Sequence, residues 1–314
     1  MMAKSASMKI QMQFLSLPNA SPADADVLIL PVPHEQTVTY KHGTAKGPQA
    51  ILAASEQLEF YEEDMAWSPL KKMRLAVLPA VEGVASEPEA AFHRRLFETA
   101  AQLPKEALLI ALGGEHSITP DMLFARMPEG GTVVHIDAHA DLRPSYHDSI
   151  YNHACPMYRI RDRGYQLIQI GIRSLNEDEA TRIAADDGIT VWFDRALQRP
   201  GVWQQLLDQL AALSGPVWLS IDMDGFDPAL ISGVGTPQPG GLSWHQGLDV
   251  LQALTHNSAV DLRNIDIVEL APEASRVSEM MTAKLVQKCL SYWGKAKGYD
   301  QRASVGSQTG VDDE

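Results

Sequence analysis

Aspartate and histidine side chains cluster at three places in the sequence, and their types and spacing suit the binding of divalent metal ions. One cluster contains His116, the second reads Asp137-Ala-His-Ala-Asp141 and the third reads Asp222-Met-Asp224. Residues two apart in an extended backbone point to the same side, so the acidic and imidazole groups of each cluster can converge. Together the clusters offer four carboxylates and two imidazoles, from His116, Asp137, His139, Asp141, Asp222 and Asp224.

Four carboxylates crowded at a partly buried place are costly unless positive charge neutralises them. Two divalent cations supply the matching charge. A donor set of oxygen and imidazole without thiolate suits Mn²⁺, with Fe²⁺, Co²⁺ or Zn²⁺ as substitutes. Taken alone, a buried histidine is more often a hydrogen-bonded core residue, and an Asp-x-Asp pair more often forms a turn. The coincidence of all three clusters favours the metal interpretation.

The clusters directly follow short apolar runs that are predicted to be β-strands. Most of the runs are continuously apolar, as expected for strands that are covered on both faces. The predicted strands are Val27–Val32, Leu75–Leu78, Ala107–Leu112, Thr132–Ile136, Leu167–Ile170, Thr190–Phe193, Val217–Ile221 and Ile265–Leu270.

Segments with helical periodicity separate many of these runs. Apolar stripes predict helices around residues 51–61, 92–103, 206–213, 244–254 and 285–292, with Ser243 as the N-cap of the fourth. Repeated alternation of strand and helix predicts an α/β fold: a single three-layer α/β/α domain with a mostly parallel central sheet of about eight strands. In such a sheet, function gathers in the loops at the carboxyl ends of the strands, which is where the clusters lie.

Composition limits the partners and the compartment. The net charge of −14 disfavours nucleic acid and mildly favours a cationic substrate. No apolar run approaches the roughly 20 residues of a membrane span. Two distant cysteines fit a reducing compartment, so a cytoplasmic protein is expected. We divide the chain into an N-terminal extension (1–24), a catalytic domain (25–295) and a polar, disordered tail (296–314).

The clusters and their neighbours resemble the signature blocks of the arginase/agmatinase (ureohydrolase) family, whose fold is shared by related deacetylases. The similarity extends from about Val27 to about Trp293. The matching segments are Gly113–Thr119, His135–Asp141, Ser220–Pro228, Gly235–Pro237, Pro239–Gly241 and Asp266–Leu270.

This resemblance implies a reaction and a role for each ligand. Two Mn²⁺ ions would share a bridging water, ionised to hydroxide, that attacks the carbon of a guanidino group and releases urea. The bridging carboxylates would be Asp137 and Asp222, the other ligands of one ion His116 and Asp141, and those of the second ion His139 and Asp224.

The resemblance also implies catalytic roles for two residues outside the ligand set. His153 matches a histidine that shuttles protons, which suits an imidazole that titrates near neutral pH. Glu269 matches the acid that grips the guanidinium through paired hydrogen bonds. Asp141 is the third residue counted as catalytic. A homo-oligomer, either a trimer or a hexamer, is also implied.

The loop after Asp141 lacks the threonines and serines with which arginases hold an amino acid. The sequence therefore favours agmatine, hydrolysed to putrescine and urea, as the small cationic substrate. N1-aminopropylagmatine follows closely, and guanidinobutyrate, arginine and formimidoylglutamate remain alternatives. Two departures from agmatinases are Glu115, where many relatives have Asp, and Leu270-Ala-Pro-Glu-Ala after Glu269.

Three other classes of protein are weighed against this interpretation. A one-zinc deacetylase of related fold is disfavoured by His116 and Asp141, which complete a second metal site. A binuclear phosphoesterase is disfavoured because the negative net charge offers little to a phosphate. A catalytically silent regulatory relative is expected to lose ligands, and all six are present.

Overall fold

Eight parallel strands of the described residues form one sheet in the computed structural model, which describes residues 12–84 and 86–305. Their order across the sheet is β2-β1-β3-β8-β7-β4-β5-β6, and every pairing is parallel. The strands are β1 (Val27–Val32), β2 (Leu75–Val77), β3 (Leu108–Gly113), β4 (Thr132–Ile136), β5 (Gln166–Ile172), β6 (Ile189–Phe193), β7 (Gly215–Asp222) and β8 (Val260–Val268).

Helices cover both faces of this sheet, which confirms the predicted α/β/α layers. Apolar side chains of α1 and α6–α9 pack on one face, and those of α2–α5 pack on the other. The helices are α1 (Gly47–Ser55), α2 (Glu89–Ala101), α3 (Thr119–Arg126), α4 (Pro156–Asp162), α5 (Glu177–Ala185), α6 (Asp194–Leu197), α7 (Val202–Ala211), α8 (Trp244–His256) and α9 (Val277–Ala296). None of the described helices combines the length and apolar character that crossing a membrane requires.

The strand order brings the chemistry-bearing loops together. The chain passes from β3 to β4 across a gap that β8 and β7 fill later, so β3, β8, β7 and β4 become adjacent at the centre of the sheet. All four strands are parallel, and their carboxyl ends therefore meet at one edge. Each of the predicted clusters follows one of these four strands.

Local sequence signals account for several element boundaries. Ser243 caps α8 as predicted: its hydroxyl accepts a hydrogen bond from the Gln246 N–H, and the Gln246 side-chain oxygen accepts one from the Ser243 N–H. The predicted first helix extended to residue 61 but α1 ends at Ser55, whose hydroxyl donates to the Leu52 carbonyl. The chain then leaves the helix to place Leu58 in the core.

The last strand differs from its predicted bounds. Ile265–Leu270 was expected from the apolar run, but β8 extends from Val260 to Val268 because its first half alternates between buried and half-exposed residues. The strand ends before Glu269, whose backbone takes a left-handed conformation with φ 64°. This turn carries the Glu269 side chain out of the sheet.

Parts of both predicted terminal segments pack against the domain. Phe14 is fully buried, and the Leu15 N–H donates to the Ser55 hydroxyl over 2.8 Å. At the other end, the Arg302 guanidinium lies 3.0 Å from the Asp26 carboxylate, and Val305 donates to a backbone carbonyl. Contacts with the domain therefore extend to Val305, within the stretch 296–314 that the sequence predicted to be a disordered tail; residues 306–314 lie outside the described residues.

A buried ion cluster joins α9 to the segment that follows α1. The Lys288 side chain is 1% exposed, and its ammonium contacts the carboxylates of Glu62, Glu63 and Asp64, of which Glu62 is completely buried.

We predict that Lys288→Met lowers the free energy of unfolding, measured by urea denaturation, by about 3–5 kcal/mol, because the Glu62 carboxylate stays buried without its partner.

Lys284→Met is the matched control on the same helix. The Lys284 ammonium is 3.2 Å from Glu63 and its side chain is 25% exposed, so its loss should cost about 0–1 kcal/mol. Equal losses in the two variants would contradict the structural importance of the buried cluster.

Candidate metal centre

The six side chains predicted to bind metal meet at the carboxyl edge of the four central strands. His116 begins a 3₁₀ turn shortly after β3, and Asp137 directly follows β4. Asp222 is the last residue of β7. Since the ends of parallel strands lie side by side, residues distant in sequence come within a few ångströms of each other.

A first group of donors surrounds the imidazole of His116. Its Nδ1 lies 3.2 Å from Asp222 Oδ2, 3.3 Å from Asp137 Oδ2 and 3.5 Å from Asp141 Oδ2. All four side chains are buried. Ligand atoms at these separations have the spacing of donors around one small cation.

A second group lies beside the first. His139 Nδ1 is 3.1 Å from Asp224 Oδ2 and 3.4 Å from Asp137 Oδ1. Asp137 therefore directs one oxygen to each group, as a carboxylate bridging two cations does. Asp222 directs only Oδ2 to the first group, because its Oδ1 accepts a hydrogen bond from the Asp224 N–H over 2.8 Å.

The charges of this cluster are poorly matched by the protein alone. Burial would lower the pKa of His116, but the carboxylates of Asp137 and Asp222 outweigh it and hold that pKa well above its usual value. At His139 burial again favours a lower pKa, but the carboxylates of Asp224 and Asp137 outweigh it and raise the pKa to about 12. Burial and neighbouring carboxylates raise the pKa of Asp222.

Protons held on these groups offset part of the carboxylate charge, and divalent cations would offset more of it. His116 Nδ1 is buried and, among the described residues, is aligned with no hydrogen-bond partner although three carboxylates surround it. A ring nitrogen that lies among three carboxylate oxygens without a hydrogen bond to any of them has the donor arrangement of a cation site. The residues present fit two divalent cations that share Asp137.

Backbone geometry brings the loops close enough to form this cluster. The Asp137 carboxylate accepts the His139 N–H over 2.5 Å, which turns the chain and returns the imidazole toward the site. A side chain at Gly225 would lie 2.8 Å from the Asp137 nitrogen, so the loop after β7 can approach only as glycine. Asp141 adopts a left-handed conformation with φ 53°.

The same cleft contains the two residues expected to act on the substrate. His153 and Glu269 line a cavity of about 200 Å³ together with His139, Asp141 and Asp222. The structure thus brings every predicted site residue except His116, Asp137 and Asp224 to the wall of one cleft, and those three lie directly behind it.

His153 is held by a residue that the sequence did not single out. Thr37 Oγ1 lies 2.9 Å from His153 Nδ1 and accepts the His153 N–H over 3.0 Å. Its segment is fastened by Glu115, whose buried carboxylate accepts the N–H groups of Gln36 and Thr37 over 2.7 Å each. Glu115 therefore supports the position of His153 rather than binding a cation.

Glu269 is anchored from both its backbone and its side chain. Its N–H donates to the Gly114 carbonyl over 2.7 Å, and its Oε1 accepts the His116 N–H over 2.7 Å. Burial and the nearby Glu115 carboxylate raise the pKa of Glu269 to about 8. A cation in the cleft would favour the ionised form of this carboxylate.

Four further buried polar residues behind the ligands were also missed, although the sequence carries a signal for them. Each is flanked on both sides by apolar residues of its strand. They are His135 in β4, Gln169 in β5, Ser220 in β7 and Asp266 in β8. The ring of His135 lies within 4.8 Å of the donor atoms of His116, Asp137 and Asp141, which makes it a further candidate ligand on distance alone.

Comparisons with known proteins agree with this geometry. The arginase family model matches residues 25–292. An N(1)-aminopropylagmatine ureohydrolase of Synechocystis sp. is 36% identical over 283 residues, covering 88% of this chain and 91% of that protein. An agmatinase of Pyrococcus horikoshii is 33% identical over 273 residues, covering 86% and 92%. The crystal structure of agmatine ureohydrolase of Thermoplasma volcanium is similar with a TM-score of 0.78 and 28% identity, covering 89% and 93%.

Removal of the shared carboxylate should disrupt both donor groups at once. We predict that Asp137→Ala, loaded with Mn²⁺ as a probe and then dialysed, retains far less of the metal than the wild-type protein, measured by elemental analysis. Asp227→Ala is the control, because this aspartate also follows β7 but bonds the Ala229 N–H and belongs to neither group. Wild-type metal content in Asp137→Ala would rule out the shared site.

Proposed function

The chain belongs to the arginase family, and from that membership we propose that it is a ureohydrolase that releases urea from N1-aminopropylagmatine. Relatives that are 36% identical over 283 and 284 residues carry that activity in their names. Agmatine, which the sequence favoured, is the second candidate because an agmatinase is 33% identical over 273 residues. Both substrates present the same guanidinobutyl end to the site.

The observation that carries this proposal is the composition of the cleft. Its wall combines donors of both groups, His139, Asp141 and Asp222, with Glu269 and His153. A guanidinium seated there would have a carboxylate to pair with, an imidazole for proton transfer and two cation sites behind it. Hydrolysis of a planar, cationic C–N group needs each of these functions.

Glu269 is the residue proposed to orient the guanidinium. Its Oε1 accepts the His116 N–H, which fixes the carboxylate plane and leaves Oε2 and the second lone pair of Oε1 for the substrate. A carboxylate accepts two parallel N–H bonds from a guanidinium, so the pairing sets both position and rotation. The substrate cation would also favour the ionised form of a group whose pKa is raised to about 8.

His153 is proposed to carry the proton to the leaving amine. Burial lowers the pKa of His153 from its usual value, so the ring is neutral in the resting site at physiological pH and free to accept a proton. Thr37 holds Nδ1, which leaves the other ring nitrogen for proton transfer. An imidazole that gains and then gives a proton meets the need of an amine leaving group.

We propose Mn²⁺ for both cation positions, which the oxygen-and-imidazole donor set supports. When bound, two such cations would make a water molecule more acidic and so supply a nucleophile. His116, Asp137 and His139 would fix the positions of the two cations, and the remaining carboxylates of the two groups would balance the charge of those cations. A homo-oligomer remains part of the proposal.

A substrate panel tests the proposal. With Mn²⁺ present, N1-aminopropylagmatine should give the highest kcat/KM for urea release, agmatine the next, and arginine and 4-guanidinobutyrate far lower values. No urea from any of them would overturn the ureohydrolase assignment. A preference for 4-guanidinobutyrate would overturn the amine-tailed substrate and would direct attention to Arg143, the cation that lines the cleft.

Replacement of the proton carrier should slow catalysis without removing metal. We predict that His153→Asn lowers kcat by about 10²–10⁴-fold, with Mn²⁺ content unchanged. Thr37→Val should lower kcat by less, and Thr37→Ser should restore it because the hydroxyl returns.

His147→Asn is the matched control for the histidine substitution. His147 lies on the same loop with its side chain exposed, and asparagine tolerates its left-handed backbone, φ 48°. Near-normal turnover by His153→Asn, measured as urea release, would exclude the proposed proton carrier.

A further inference from the structure

A row of polar side chains crosses the middle of the sheet directly beneath the metal centre. Gln169, His135, Ser220 and Asp266 are register partners on the adjacent strands β5, β4, β7 and β8, and all four are completely buried. In-register residues of parallel strands point to the same face, so the four side chains form one line. Such burial is costly unless each polar atom has a specific role.

One end of the row determines the hydrogen on His116. Asp266 accepts from the Trp218 indole, from Thr119 over 3.1 Å and from the Ser220 hydroxyl over 2.7 Å. The single hydroxyl hydrogen of Ser220 is thus committed to Asp266. The 2.8 Å contact between Ser220 Oγ and His116 Nε2 must then be donated by the ring. His116 therefore keeps a hydrogen on Nε2, and Nδ1, which faces the carboxylates of the first group, is the nitrogen that can exchange its proton for a cation.

The other end of the row determines the hydrogen on His135. Gln169 Nε2 lies 2.7 Å from the Ala140 carbonyl, which can only accept, so the amide nitrogen is correctly placed there. The same nitrogen lies 3.0 Å from His135 Nδ1, which must also accept. The hydrogen of the ring is therefore on Nε2, and Nε2 donates to Asp137 Oδ2 over 2.8 Å.

The two histidines thereby receive opposite roles. His116 faces the cation site with the nitrogen that can give up its proton, whereas His135 faces it with an N–H group that its other nitrogen cannot replace. Because Nδ1 of His135 already lacks a hydrogen, loss of the Nε2 hydrogen would leave an anionic ring, so His135 is excluded as a ligand although it lies close to the other donors. Its N–H instead fixes one oxygen of Asp137, while the His139 N–H fixes the other.

We propose that this row, Gln169–His135–Ser220–Asp266, acts as a positioning layer: it sets the tautomers of His116 and His135 and so fixes which groups bind the cations and how Asp137 bridges them. The inference rests on the cation site of the proposed function but not on the reaction. Its direct consequence is a centre in which His135 supports the shared carboxylate without entering the coordination.

The tautomers can be observed without any substitution of the row. In metal-free protein labelled with ¹⁵N-histidine, long-range ¹H–¹⁵N correlation spectra should show the His135 ring as the Nε2–H form, with its signals identified by their loss in His135→Asn. An Nδ1–H ring for His135 in the wild-type protein would overturn the proposal, whatever the stability of the variants.

Two variants then test the consequence for metal binding. Ser220→Ala and Gln169→Met should each weaken Mn²⁺ binding, measured by calorimetric titration, by about 10–100-fold. Gln169→Met should also convert part of the His135 signal to the Nδ1–H form. Unchanged Mn²⁺ affinity in both variants would contradict the positioning role.

Matched controls come from the buried part of α9. Gln287 is a fully buried glutamine whose Nε2 also donates to a backbone carbonyl, and Ser291 is a fully buried serine whose hydroxyl has no partner among the described residues. Gln287→Met and Ser291→Ala should keep wild-type Mn²⁺ affinity. An equal loss in these controls would show a general packing defect and would overturn the specific role of the row.

The two proposals fail in different ways. Absence of urea release from every substrate, with the expected tautomers and Mn²⁺ affinities, would sink the proposed function alone. An active ureohydrolase whose His135 ring carries hydrogen on Nδ1 would sink the positioning layer alone.

Discussion

The mutual repulsion of four buried carboxylates is the constraint on which this structure depends. Asp137, Asp141, Asp222 and Asp224 lie within contact distance of two imidazoles, and the cluster keeps protons on groups that would otherwise ionise differently. Such an arrangement is stable only if external positive charge enters it or if the chain forces it together. The fold holds the carboxylates together, and divalent cations would supply the positive charge.

The order of the strands and the polar row beneath the ligands hold the carboxylates together. With β8 and β7 inserted between β3 and β4, three sequence-distant clusters become neighbours without a long loop. One pleat repeat below them, the polar row hydrogen-bonds His116 and Asp137 from inside the sheet. Ligands placed by strands and held by buried hydrogen bonds cannot separate to relieve their repulsion, which is the preorganisation that a two-cation site requires.

Much of this was readable in the sequence, and the failures have identifiable physical causes. Continuous apolar runs located all eight strands, period-two spacing grouped five of the six donors, and His116 joined them because it also follows a predicted strand. The short helices α3–α6 were missed because few turns give little periodicity, although Asn176 and Glu179 form a capping box that marks the start of α5. His135 and Ser220 were visible as polar interruptions of apolar strands. Their pairing was not, because it follows from the order of strands across the sheet rather than along the chain.

Backbone strain links the fold to specificity. Asp141 and Glu269, one ligand and the proposed guanidinium partner, both adopt left-handed conformations at φ 53° and 64°, which cost about 1–2 kcal/mol each for residues with a Cβ. Each conformation turns the chain sharply where it leaves the metal site, so the side chain enters the cleft while the following loop moves to its rim. The loop after Asp141 carries Arg143 and Tyr146 into the cleft wall. The donors of the centre are therefore held by strand ends, while the loop after Asp141 contributes other side chains to the cleft wall.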